Sequence, residues 1–155
     1  MRFVEQMIKT VILLSLSAPL MVAAGGDPGD MAPVTEQQVA DTPYRVIDGR
    51  IDPNTIEGWK TFRGIGGCTA CHGPAGEGGV GKNLMEGLTS KRLDEQQFKG
   101  VVAEGRSGTM MKAFKYNQAV MDNLDNIYAY IQARADGVLG PDNLIKYPLG
   151  KKPVE

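Results

Sequence analysis

The chain has 155 residues, with 17 Lys and Arg against 18 Asp and Glu, a single histidine and a formal net charge of −1. So even a balance argues against nucleic acid as a partner, and 20 glycines with 6% aromatics describe one modest domain with long irregular stretches. The only two cysteines are separated by two residues, too close for a disulfide between them to restrict the unfolded chain much.

Residues 1–24 read as an export signal peptide. Arg2 and Lys9 form its charged region, and Val11 to Val22 its apolar run. That run is about a dozen residues, broken by Ser15, Ser17 and Pro19, and falls short of the ~20 needed to span a bilayer. Val22-Ala23-Ala24 precede Gly25, so cleavage is expected after Ala24. Cleavage removes Arg2, Lys9 and Glu5, leaving 15 positive and 17 negative groups, a net charge of −2. The mature protein is then expected in a bacterial periplasm. Residues 25–51 read as an extended lead-in, Gly- and Pro-rich to residue 43, in which Asp48-Gly49 between short β-prone stretches predicts a small hairpin.

Asp52-Pro53 predicts a helix start, with Asp52 as N-cap, Pro53 at the first position and Glu57 in the first turn. Trp59, Phe62 and Ile65 give this helix one apolar face, and it should end within 64–67. From Gly73 to Gly87 nearly every second or third residue is Gly or Pro, which predicts a loop. A second helix is expected from Asp94 to Glu104, with Asp94 and Gln97 at capping-box spacing, Phe98, Val101 and Val102 on the buried side and Gly105 as the stop. A third is expected over 118–135, where Val120, Leu124, Ile127 and Ile131 keep one face apolar. Residues 137–155 return to Gly and Pro and read as a tail laid over the surface. The whole is mostly α.

Cys68-Thr69-Ala70-Cys71-His72 carries the chemistry. Each thiol of such a pair can add to one haem vinyl group, while the adjacent histidine offers its imidazole to the iron. One motif means one covalently attached haem c. A thioredoxin-like redox pair shares the spacing but belongs to an alternating βαβ pattern that this helical chain lacks. A zinc site needs a fourth ligand, and no further Cys or His exists.

Because His72 is the sole histidine, the second axial ligand must be Met, Lys, another weaker group or water, or the position is open. Five methionines follow the signal peptide: Met31, Met85, Met110, Met111 and Met121. Met31 lies in the lead-in, Met121 on a helix face suited to core filling, and Met85 so soon after His72 that it would have to cross at once to the other side of the ring. Met110 and Met111 occupy an irregular stretch, 106–116, that can reach the opposite face.

These segments together resemble the class I cytochromes c. The resemblance rests on Gly58-Trp59 with Phe62, Cys68 to His72 with Gly73-Pro74, Gly81-Lys82-Asn83-Leu84, Gly105-Arg106, Met111-Lys112-Ala113-Phe114 and Ile127 to Ile131, and covers roughly 52–136. It implies a cytochrome c fold of three or more helices with long Gly/Pro-rich loops around the haem. It implies Met111 as second axial ligand, Met111 to Phe114 standing where that family often has Met-Pro-Ala-Phe. The missing proline leaves Met110 as the alternative. Lys82 stands where the family usually has a proline whose carbonyl accepts from the ligand histidine.

With both axial positions filled, the chemistry left is outer-sphere electron transfer, so the protein is expected to be a one-electron carrier and not an enzyme. Lys99, Arg106, Lys112 and Lys115 against Glu104 leave a candidate docking face at +3. Val46 to Pro53 and Ala133 to Gly140 are similar to flanking segments of periplasmic cytochromes of the cytochrome cL kind. That resemblance implies electrons accepted from a quinoprotein (PQQ) alcohol or methanol dehydrogenase and passed toward a terminal oxidase or another cytochrome. The alternatives are a carrier for another periplasmic redox complex, or a haem enzyme or gas sensor with an open sixth site. Against the last, no second histidine exists to act as distal acid or base.

Overall fold

The computed structural model describes residues 41–153. The expected signal peptide, nearly all of the glycine- and proline-rich part of the lead-in, and Met31 lie outside the described residues. The expected hairpin is present: β1 (Val46–Ile47) pairs antiparallel with β2 (Arg50–Ile51), Val46 opposite Ile51. Asp48 and Gly49 join them with φ of 50° and 70°, the two positive values that a tight two-residue hairpin demands.

Helix α1 runs Pro53–Arg63, with Asp52 Oδ1 accepting from Thr55 N and Gly64 closing it. Glu57 falls beyond the first turn and pairs instead with Lys60 at 2.6 Å, correcting its expected part in the helix start. Ile65, expected on the apolar face, is 63% exposed, because the helix has ended and the 3.6-residue repeat no longer places it. The haem motif sits on a single turn, α2 (Thr69–His72). The stretch read as pure loop contains α3 (Leu84–Thr89), whose Asn83 side chain accepts from Glu86 N.

Helix α4 (Glu95–Glu104) has the expected capping box complete, Asp94 and Gln97 each taking the other's backbone N–H. Phe98 and Val102 are buried, while Val101 is only half-buried. The third expected helix divides into α5 (Gln118–Met121) and α6 (Leu124–Ala135). Asn123 breaks it by donating from Nδ2 to Ala119 O and accepting from Asn126 Nδ2, bonds that compete with the helical ladder. The apolar stripe survives the break: Val120, Leu124, Ile127 and Ile131 are all buried.

The core gathers on α6, which meets α1, α3 and α4. At the α1 crossing, a Cβ on Gly58 would lie 1.9 Å from Asn126 O, so only glycine permits the approach. Phe62 meets Tyr130 with ring centroids 5.6 Å apart, and Phe98 meets Tyr128 at 5.5 Å. Residues beyond 137 are not the surface tail expected. Val138, Leu139 and Leu144 are buried, a 3₁₀ turn at Pro148–Gly150 follows, and Gly140 N donates to Leu149 O. The lead-in likewise joins the core through Tyr44 and Ile51, and Tyr44 Oη donates to Asp136 Oδ2 at 2.8 Å. Among the described residues no helix is long and apolar enough to cross a membrane.

Candidate haem site

The α2 turn presents Cys68, Cys71 and His72, all partly buried. His72 Nδ1 lies 2.8 Å from Lys82 O. A carbonyl can only accept, so Nδ1 carries the proton and the lone pair is left on Nε2, the tautomer an iron ligand requires. Gly81 makes this contact possible, because a Cβ there would lie 2.9 Å from both Cε1 and Nδ1 of the ring. Lys82 thus holds the imidazole through its backbone, as the family's proline would. Two arginines fix the loop behind the motif: Arg63 donates to Pro74 O at 2.8 Å, and Arg134 donates to Ala75 O and to Leu139 O. Nothing in the sequence pattern singles these arginines out, since guanidinium-to-carbonyl bonds carry no spacing signature.

The segment between α4 and α5 carries the methionines. It closes on itself through Arg106 N to Met111 O and is strapped to the end of α4 by Phe114 N to Val102 O and Lys115 N to Ala103 O. Gly105, at φ +73°, lets the backbone of Met111 to Ala113 press against it. Met111 is partly buried and packs on the same core as Cys68, whereas Met110 is 73% exposed. Lys112 lies near enough that its charge bears on the Cys68 thiol, so the methionine segment and the cysteine turn share one neighbourhood. Met85 packs beside Ile131 and Gly76, and Met121 is core filler on α5.

Burial pushes the Cys68 thiol up to about 11, with Lys112 opposing and Cys71 adding to it. A reactive redox dithiol needs the opposite shift, since it works as a thiolate. Among the described residues no three His, Cys, Asp or Glu side chains gather as a metal cage. The donor set fits haem instead: two thiols, one imidazole with a free Nε2 and one thioether. Ile65 and Val80, on either side of the cysteine turn in sequence, are exposed apolar side chains of the kind a porphyrin covers.

The expected basic face is smaller than the sequence suggested. Lys99 is held between Glu95 and Asp125, and Lys115 pairs with Glu104 at 2.6 Å, which leaves Arg106 and Lys112 of the four cations.

A helical body bringing a Cys-x-x-Cys-His turn and a methionine segment onto one core is the arrangement of c-type cytochromes as a class. The family model described as cytochrome c oxidase, cbb3-type, subunit III matches residues 53–131, and the chain belongs to this family of class I c-type cytochromes. It is 33% identical to cytochrome c-555 of Methylococcus capsulatus over 139 residues, covering 89% of this chain and 95% of that one. It is 29% identical to cytochrome c-553I of Paracoccus denitrificans over 62% of this chain and 44% of that one. Among solved structures, the c-type cytochrome XoxG of Methylobacterium extorquens AM1 superposes with a TM-score of 0.53 at 33% identity, covering 59% of this chain and 57% of that one. The chain therefore spans about half the length of the latter two. Like its family it is a monohaem electron carrier, not an enzyme, and its haem c is covalently attached.

Proposed function

We propose that Cys68 and Cys71 form the two thioethers, that His72 Nε2 and Met111 Sδ are the axial ligands, and that the protein relays single electrons in the periplasm. The observation that carries this reading is the difference between the two methionines: Met111 is partly buried against the core on which Cys68 also packs, while Met110 is 73% exposed and makes no such contact. The haem supplies reversible one-electron chemistry when bound. The chain's own part is to anchor it through the α2 turn, to keep the imidazole oriented through Lys82 O, and to hold the methionine segment on α4 so that little moves between redox states. A thioether ligand and burial both favour the reduced iron, which suits a carrier late in a respiratory chain.

For the donor we take a PQQ-dependent alcohol or methanol dehydrogenase, supported by the likeness of Val46 to Pro53 and Ala133 to Gly140 to the cytochrome cL kind. The acceptor is a terminal oxidase or another cytochrome. Export by cleavage after Ala24 places the protein with both. The test is stopped-flow mixing of the oxidised holoprotein with a substrate-reduced quinoprotein dehydrogenase. Rapid haem reduction that slows with added salt is expected; absence of reduction, with reduction by another periplasmic redox complex, would transfer the protein to a different donor.

A further inference from the structure

Two segments outside the residues matched by the family model meet in the fold: the hairpin of β1 and β2, and the C-terminal loop 140–152, whose 3₁₀ turn at Pro148–Gly150 packs on β2. The hairpin register fixes which side chains face outward. Val46 opposes Ile51 on the inner face, so Ile47 and its partner Arg50 share the outer one, and Arg45, two residues before Ile47, falls there too. In the C-terminal loop, Asp142 N donates to Gly150 O and Lys152 N to Asp142 Oδ2, which closes the base. Asn143 Oδ1 accepts from Ile145 N and Lys146 N, holding those two residues at the tip. Each projection thus carries an exposed isoleucine, Ile47 at 53% and Ile145 at 62%.

Cations accompany both isoleucines. Arg45, Arg50, Lys146, Lys151 and Lys152 are all exposed, and among the described residues none of their charged groups has an ion-pair or hydrogen-bond partner. Lysines on the helical body, by contrast, are paired: Lys60 with Glu57, Lys99 with Glu95 and Asp125, Lys115 with Glu104. Of the carboxylates in the two segments, Asp52 caps α1 and Asp142 accepts from Lys152 N, which leaves Asp41 and Asp48 against five cations. Protruding aliphatic tips among unpaired cations suit an anionic lipid surface, where the isoleucines enter the headgroup layer and the cations meet phosphate oxygens. A protein partner fits less well, because protein interfaces favour aromatic anchors and are depleted in lysine. We infer that the hairpin and the C-terminal loop adsorb the protein reversibly on anionic phospholipid at a membrane surface. This needs neither Met111 as ligand nor a quinoprotein donor.

The test is co-sedimentation of the oxidised holoprotein, followed by its haem absorbance, with vesicles of phosphatidylglycerol mixed into phosphatidylcholine and with vesicles of phosphatidylcholine alone. Binding to the anionic vesicles that weakens with added salt is expected, with little binding to the neutral ones. Replacing Lys151→Glu and Lys152→Glu together should lower the affinity about tenfold or more. Ile145→Ser should lower it about threefold or more. Lys112→Gln, on the methionine segment, should leave it unchanged. Every one of these side chains is exposed or at a loop tip, so thermal unfolding and the haem spectrum should match the wild type, which separates lost binding from lost fold. Equal binding to both kinds of vesicle, binding to neither, or an equal loss in Lys112→Gln would overturn the inference. So would vesicle binding that survives the double substitution; slower reduction by a redox partner in that variant would then assign the surface to a protein.

Discussion

The imidazole of His72 depends on a backbone carbonyl that a side chain at the preceding residue would displace. Gly81→Ala places a methyl 2.9 Å from the ring, so the 82 carbonyl must retreat and the bond to Nδ1 lengthens or breaks. A ligand without that acceptor is less basic and stabilises ferric iron less. The variant is expected to show a higher reduction potential and a loss of roughly 1–3 kcal/mol in denaturant unfolding. An unchanged potential would mean that Lys82 O is not what tunes the ligand. At this scale the candidates were readable: the motif names the cysteines and histidine proposed to hold the haem, and one histidine in the chain narrows the choice of opposite ligand. The arginine bonds to Pro74 and Ala75 were not readable, because the acceptors are backbone atoms that only the folded loop brings within reach.

Helices here are legible where a cap and an apolar stripe agree. Asp52 and Asp94 both cap as their spacing requires, and removing the Asp52 carboxylate strips acceptors from Thr55 N, Thr55 Oγ1 and Arg45 N. Asp52→Ala is therefore expected to cost about 2 kcal/mol in urea unfolding, at the upper end for an N-cap, and a change below about 0.5 kcal/mol would show the cap to be dispensable. Helix α3 was hidden by Gly87 within it, although Asn83 and Glu86 carried a readable N-cap spacing. The α5–α6 break was hidden because the apolar stripe continues across it while asparagine side chains take over the backbone bonds. The α1–α6 crossing has no tolerance for bulk. Gly58→Ala should drive the helices apart against Asn126, with about 3 kcal/mol or more lost and little holoprotein accumulating. Wild-type thermal stability in that variant would refute the close crossing.

Considered whole, the body extends past both limits that the sequence suggested, from Tyr44 to Leu149, since buried aliphatics in a Gly- and Pro-punctuated segment show no period. Ending the chain at Gly137 removes Val138, Leu139 and Leu144 and one acceptor of Arg134; at ~1.5–3 kcal/mol per buried side chain this loses about 5 kcal/mol or more, enough to abolish accumulation of a marginal domain. Recovery of folded, haem-loaded protein from that truncation would overturn the core assignment. Tyr130 is 1% exposed, and burial pushes its phenol up to about 12. A raised folded-state value means its contribution is complete below the unfolded value of about 10 and is lost as pH climbs toward 12. Unfolding free energy should then drop between those pH values, and Tyr130→Phe should flatten part of the drop; an equal drop in both proteins would exclude Tyr130 as its source. The central claim is that one covalent haem is held between His72 and Met111. Visible spectra of the oxidised holoprotein test it most directly: the thioether-to-iron charge-transfer band should be present in the wild type, retained in Met110→Ala and lost in Met111→Ala, whose reduced form should then bind carbon monoxide. A band retained in Met111→Ala, or lost in Met110→Ala, would contradict it.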